Sequence, residues 1–161
     1  MKLEEQLGKI LLDKNLTVST AESCTGGLLS SKLTDISGSS AYVKQNYVTY
    51  SNEAKHNILG VDNEILEKYG AVSEECAQSM AEGLSRITDC DIAICTTGIA
   101  GPTGGTPNKP VGLVYISVKY NNIITIKEIR LNPNLDRITM KNEFTNHALK
   151  LAIDVLTQDR I

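Results

Sequence analysis

The run CDIAICTTG, residues 90–98, is short, nearly all apolar and bounded by turn residues. That is the pattern of a strand buried on both faces. Such a strand needs cover on each side of its sheet, which restricts the chain to layered folds. It empties into a long Gly/Pro-rich segment, 98–110, so the covered strand ends in an irregular excursion at its carboxyl end. In open α/β sheets that is where ligands bind.

The rest of the chain supplies the cover. Leu3, Leu7, Ile10 and Leu11 recur at helical spacing, predicting a helix over 3–14. LTVSTA, 16–21, reads as a strand, and a helix is expected from Thr25 to about Thr34. YVKQNYVTY, 42–50, has strand composition. Ser51-Asn52 can cap a helix running to about Leu59 and stopped by Gly60, and a short helix follows over 63–69. Ser73, with Glu74 and Glu75 behind it, opens another, with Ala77, Met80, Ala81, Leu84 and Ile87 as its inward stripe. VGLVYISVKY and NIITIKEIRL flank Asn121-Asn122 as a hairpin. Asn132-Pro133 suits the start of a last helix reaching about Leu156, with Ile138, Phe144, Ala148, Leu151, Ala152 and Val155 on one side. Helices alternating with strands, plus one hairpin, imply an α/β layered fold with a mixed sheet in a single domain over 1–161.

Composition narrows the function. A chain of 161 residues buries about two-thirds or more of its unfolded surface and needs no staples. Sixteen basic against nineteen acidic residues leave no basic excess for wrapping nucleic acid. Seven aromatics are too few for a stacking platform. Cys24, Cys76, Cys90 and Cys95 contain no C-x-x-C pair, and with His56 and His147 far apart a zinc cage has little to draw on; reduced, buried thiols are the expectation. No run approaches the ~20 apolar residues of a membrane span. A cytoplasmic protein is expected, with a homodimer as the default assembly.

Three segments carry chemistry. In Ala21-Glu22-Ser23-Cys24-Thr25-Gly26-Gly27, a Ser at the end of a strand meets the unpaired N–H groups of a helix start. These donors can stabilise an oxyanion on a carbonyl attacked by Ser23, with Gly26 and Gly27 allowing close approach. Equally, Ser23 or Thr25 can be a plain N-cap, and Cys24 a small packed residue. In Tyr50-Ser51-Asn52-Glu53-Ala54-Lys55, a phenol and an ammonium straddle a strand–helix junction. Lys55 can activate a Ser once its pKa is brought down, and Tyr50 can shuttle a proton; an ordinary surface Lys and core-edge Tyr are the alternative. The segment 96–112 holds five of the twelve glycines and three prolines. Its N–H groups and Lys109 can hold a phosphate or ribose, or it can be a mere connector. No G-x-G-x-x-G, P-loop or G-x-S-x-G is present.

AESCTGG, VTYSNEAK followed by LGV, GAVS, and TGIAGPTGGTPNKPVG, in this order, closely resemble the CinA carboxy-terminal domain family. The resemblance implies a three-layer α/β/α sandwich and an activity without metal or other cofactor. That activity is hydrolysis of the carboxamide of nicotinamide mononucleotide to nicotinate mononucleotide and ammonia. It further implies Ser23 as nucleophile with Tyr50 and Lys55 as catalytic partners. Thr25, Gly26, Gly27, Gly98, Gly101, Gly104, Gly105, Lys109 and Arg137 would hold the substrate. Leu135 stands where the family carries Gly before Asp136-Arg137, and Lys141 where it carries Arg, which removes a bidentate phosphate fork. An additional amino-terminal domain, linked in this family with ADP-ribose pyrophosphatase activity, lies outside this unit, so that activity is not expected. Two other readings stand beside this one: a non-catalytic nucleotide-binding or partner-interaction module of the competence/damage-inducible type, and an amidase for a different small amide.

Overall fold

A computed structural model describes residues 1–158; residues 159–161, the end of the expected domain, lie outside the described residues. Five strands form one mixed sheet: β1 (Val18–Glu22), β2 (Val43–Val48), β3 (Ile92–Gly98), β4 (Leu113–Tyr120) and β5 (Ile123–Arg130). Their order across the sheet is β2-β1-β3-β4-β5, with β1 parallel to β2 and β3, and β3-β4 and β4-β5 antiparallel. Six helices cover it: α1 (Leu3–Lys14), α2 (Leu28–Thr34), α3 (Asn52–Leu59), α4 (Asn63–Lys68), α5 (Glu74–Thr88) and α6 (Arg137–Thr157).

The run at 90–98 is β3, and its alternation builds the layers. Ile92 and Ile94 point into one core with Leu7 and Leu11 of α1, Leu29 and Leu33 of α2, and Phe144 and Ala148 of α6. Ala93 and Cys95 point into the other with Leu59 of α3, Leu66 of α4, and Met80 and Leu84 of α5. Large side chains fill one side and small ones the other, so α5 lies close to the sheet, where Ser117 Oγ donates to the Ala77 carbonyl at 2.7 Å. The expected α/β/α sandwich with a mixed sheet is the observed architecture, and all four cysteines are free and buried. The hairpin turns at Asn121 and Asn122, both at positive φ.

Four details differ from the sequence reading. The second helix begins at Leu28, not Thr25, because Gly26 and Gly27 take positive φ and neither Ser23 nor Thr25 caps it. The last helix begins at Arg137; Asn132 instead closes a local turn by accepting from the Asn134 N–H at 2.9 Å. Ile138, expected on the buried side, therefore lies in the first turn and is 72% exposed. Ile87 is 38% exposed, while Cys76 and Gly83 join the inward stripe of α5.

The connections place the site. α2 joins β1 to β2 on one face, whereas α3, α4 and α5 join β2 back across to β3 on the other. The carboxyl ends of β1 and β3 thus flank a topological switch point. Gly83 lets α5 meet α3: a Cβ there would overlap the Leu59 carbonyl oxygen. Gly83→Ala should therefore cost about 2–3 kcal/mol of overpacking strain, read as a lowered midpoint in urea unfolding; an unchanged midpoint would contradict this close approach.

Candidate active site

The last residue of β1 organises the turn that follows. Glu22 is 0% exposed, and its carboxylate receives four donors. Oε1 accepts from Thr25 Oγ1 at 2.7 Å and the Leu29 N–H at 2.8 Å; Oε2 accepts from the Ser30 N–H at 2.9 Å and Ser30 Oγ at 2.7 Å. A buried carboxylate thus satisfies the first turn of α2, where the helix dipole favours negative charge. Between strand and helix, the Ser23 N–H donates to the Thr96 carbonyl at 3.1 Å, tying the turn to β3. Thr25 Oγ1 also bonds Thr96 Oγ1 at 2.9 Å.

Lys55 reaches the same point from α3. Ser51 caps that helix by accepting from the Ala54 N–H at 3.0 Å, and Lys55 follows on the inward face, 1% exposed. Its Nζ donates to Ser23 Oγ at 3.0 Å and to the Tyr50 carbonyl at 3.2 Å. Burial draws the Lys55 pKa below its usual value, against the opposing influence of the Cys76 and Cys24 thiols. Burial also pushes the Cys24 thiol up to about 12 and the Cys76 thiol up to about 11. A serine hydroxyl beside a desolvated amine is a nucleophile–base pair, because loss of the ammonium charge frees a lone pair to take the hydroxyl proton.

This pair sits in an open cavity of about 420 Å³. Its wall includes Thr97, Gly98, Ile99, Ala100, Gly101, Thr103 and Gly104 from the segment after β3, together with Arg137 at the start of α6. The volume falls within the range of small-molecule sites. A second cavity of about 400 Å³, between α4 and α5, is lined by no Lys, His or Cys. Among the described residues, no three His, Cys, Asp or Glu side chains gather as a metal cage, and no helix is long and apolar enough to cross a membrane.

The expected residues divide into two groups. Ser23, Lys55, Tyr50, Gly98, Gly101, Gly104 and Arg137 all line the cavity. Tyr50 does so differently from a proton relay: its carbonyl meets Lys55, while its phenol, on a side chain 60% exposed, accepts from Arg137 Nη2 at 3.2 Å. Arg137 Nη1 holds the Gly101 carbonyl at 2.6 Å, so one guanidinium joins α6, the glycine segment and Tyr50.

Thr25, Gly26, Gly27, Gly105 and Lys109 lie outside the lining. The Thr25 hydroxyl is spent on Glu22 and Thr96, and the Gly26 N–H on the Ser23 carbonyl at 3.1 Å. Gly105 packs against Val111, and Lys109 Nζ donates to the Tyr69 carbonyl, strapping the glycine segment to the end of α4. Sequence reading missed Glu22, Asn52, Ala71 and Val72. Glu22 had one signal: a carboxylate closing a strand whose helix lacks a side-chain cap.

The profile of the CinA C-terminal domain matches residues 1–156. A competence-damage inducible protein of Clostridium beijerinckii is 48% identical over 145 residues, covering 90% of this chain and 35% of that protein. One from Acetivibrio thermocellus is 51% identical over 146 residues, covering 89% and 35%. The chain thus spans about a third of the length of these curated relatives. Among solved structures, competence damage-inducible protein A of Klebsiella pneumoniae superposes with a TM-score of 0.93 at 32% identity, covering 98% of this chain and 97% of that one. The competence/damage inducible protein CihA of Agrobacterium tumefaciens superposes with a TM-score of 0.91 at 42% identity, covering 97% and 96%. With its profile matched over nearly the whole length and these structures superposing on it, this chain belongs to the CinA C-terminal domain family.

Proposed function

We propose that the chain is a Ser–Lys amidohydrolase that converts nicotinamide mononucleotide and water to nicotinate mononucleotide and ammonia in the cytoplasm. The observation that carries this reading is the 3.0 Å contact between Lys55 Nζ and Ser23 Oγ on the floor of a cavity. Neutral Lys55 takes the Ser23 proton as Oγ bonds to the carboxamide carbon. The Cys24 N–H, next to Ser23 on a residue that lines the cavity and without a protein acceptor among the described residues, is a donor available to the oxyanion. Lys55 returns the proton to the departing nitrogen as the C–N bond breaks, and ammonia leaves. Water, deprotonated by Lys55, then attacks the acyl-enzyme, releasing the carboxylate and restoring Ser23. Tyr50 contributes its carbonyl to orient Lys55, and its phenol steadies Arg137. The glycine segment and Arg137 surround the ribose phosphate, with Arg137 releasing Gly101 to meet the anion.

Turnover by this route needs neutral Lys55. Burial places its pKa below the ordinary lysine value, so kcat/KM should rise with pH up to that pKa. It should fall about tenfold per unit on the acidic side, as for any single required deprotonation. A pH-rate profile flat across the range in which the protein stays folded would remove Lys55 as base. Ser23→Ala should lower ammonia release from nicotinamide mononucleotide by about 10³-fold or more, the scale of losing a catalytic nucleophile. Calorimetry should show the substrate still bound. Release at the parental rate would end the nucleophile assignment, and binding without turnover by the parent chain would favour a nucleotide-binding module. Arg137→Met should erase the preference for the mononucleotide over nicotinamide riboside, measured as a ratio of kcat/KM values; an unchanged ratio would place the phosphate elsewhere.

A further inference from the structure

Hydrolysis at Ser23 changes the charge of what the cavity holds. The carboxamide that enters is neutral, whereas the acid that forms is ionised near pH 7, because carboxyl groups lose their proton at about pH 4. Among the side chains lining the cavity, Lys55 and Arg137 are the two that can carry positive charge, and none is Asp or Glu. Arg137 is engaged with the Gly101 carbonyl and the Tyr50 hydroxyl. Lys55 Nζ lies 3.0 Å from Ser23 Oγ, the atom that the new carboxyl group leaves. The added negative charge of the product therefore arises beside Lys55, in a wall that offers no anion to repel it.

The protons of the last step follow from this placement. Water gives its hydroxyl to the acyl carbon and one proton to Lys55, which passes it to Ser23 Oγ as the acyl C–O bond breaks. The carboxylic acid so formed gives its own proton to Lys55, leaving an ammonium–carboxylate pair. Burial disfavours the Lys55 ammonium beside a neutral ligand, and an adjacent carboxylate reverses that preference. The surrounding groups do not supply such a charge. Cys24 lines the cavity and Cys76 lies on the buried face of α5; burial raises their thiols to about 12 and about 11, so both stay neutral near pH 7. The Tyr50 carbonyl accepts from Nζ without titrating. His56, next along α3, sets Nδ1 against the Val61 carbonyl at 2.8 Å, and Lys109 gives Nζ to the Tyr69 carbonyl. Glu22, at the end of β1, commits both carboxylate oxygens to Thr25, Leu29 and Ser30.

We propose that the cavity retains its own product: nicotinate mononucleotide binds with uptake of a proton at Lys55, which pairs with the new carboxylate, so the acid is held more tightly than the amide as pH falls. The consequence for turnover rests on the amidase reading, whereas the preference for the carboxylate does not. The sign follows from linkage. Product affinity is greatest below the Lys55 pKa of the free protein, falls as pH rises towards the higher pKa of the complex, and is level beyond it. The same proton occupies the base, so acidification slows turnover and tightens the product together.

The experiment uses the full chain carrying Ser23→Ala, which leaves the amide intact during a titration. Calorimetry measures its binding of nicotinamide mononucleotide and of nicotinate mononucleotide across the neutral and alkaline range. The two ligands share ring, ribose and phosphate, so ionisation of the phosphate cancels in the ratio of their dissociation constants. That ratio should move towards the product by about tenfold for each pH unit lowered between the two Lys55 pKa values. Buffers of different ionisation enthalpy should show the product taking up more protons than the amide, approaching about one more. Adding Lys55→Met should flatten the ratio and remove the extra proton, whereas adding His56→Gln should leave the slope in place. A flat ratio in folded Ser23→Ala would overturn the proposal, as would a slope that survives Lys55→Met or failure of the product to bind. If the parent hydrolyses no amide while Ser23→Ala shows the slope, the amidase reading fails and the carboxylate site stands.

Discussion

The structure depends on a buried carboxylate that no salt bridge among the described residues neutralises. Glu22 lies at the end of a fully buried strand, and its charge is met by two backbone N–H groups and two hydroxyls. Bonds to a charged acceptor are worth more than neutral ones, and four of them in a dry setting fix the distance between β1 and α2. The turn carrying Ser23 spans that fixed gap. Because Gly26 and Gly27 take positive φ there, the chain reaches the helix in five residues without demanding a capping side chain.

Lys55 shows the opposite use of burial. An ammonium removed from water is costly, and the inexpensive escape is to give up the proton. Burial that a surface lysine escapes draws the Lys55 pKa down, which favours the neutral amine relative to an exposed lysine. Neither of the two histidines lies in the cavity, and Lys55 is the lining side chain whose pKa burial lowers. Lys55 is held by local means: a serine cap at the start of α3, one helical turn, and the carbonyl of the residue just before the cap.

Much of this was legible from residues alone. The apolar run at 90–98, the helical stripes of α1 and α5, and the Asn-Asn hairpin report local periodicity and local backbone preference, which tertiary packing here reinforces. The start of α2 was not legible, because its cap is a carboxylate seven and eight residues away rather than a neighbour at the usual spacing. The start of α6 was misplaced because Asn132 satisfies a turn of its own before the helix begins. Ser23 and Lys55 were candidates already from their places at two strand–helix junctions, the resemblance implied their pairing, and the structure brings them to 3.0 Å. For Tyr50 and Lys109, sequence names a side chain but cannot say which atom is used. Tyr50 brings its carbonyl to Lys55, and Lys109 closes a strap on Tyr69.

The glycines after β3 do different jobs along one segment, and the difference explains how a long excursion can line a defined cavity. Gly98 and Gly112 are its two roots: a Cβ on Gly98 would come within 2.6 Å of the Leu113 carbonyl oxygen, and one on Gly112 would overlap that of Leu131. Both roots are pressed against the β4–β5 hairpin, with the Ile99 N–H donating to the Leu113 carbonyl at 2.9 Å and the Gly112 N–H to that of Ile99 at 2.8 Å. A Cβ on Gly104, by contrast, would meet only a methyl group of Ile99, at 3.8 Å, and this glycine serves through its positive φ. The segment is therefore anchored where it leaves and rejoins the sheet, held at Gly101 by Arg137 and at Lys109 by Tyr69, and it faces the cavity with Gly98, Gly101 and Gly104 set among Thr97, Ile99, Ala100 and Thr103. At the three glycines the wall offers backbone N–H and C=O dipoles beside the threonine hydroxyls, a surface suited to a polar ligand and dependent on glycine spacing for its shape.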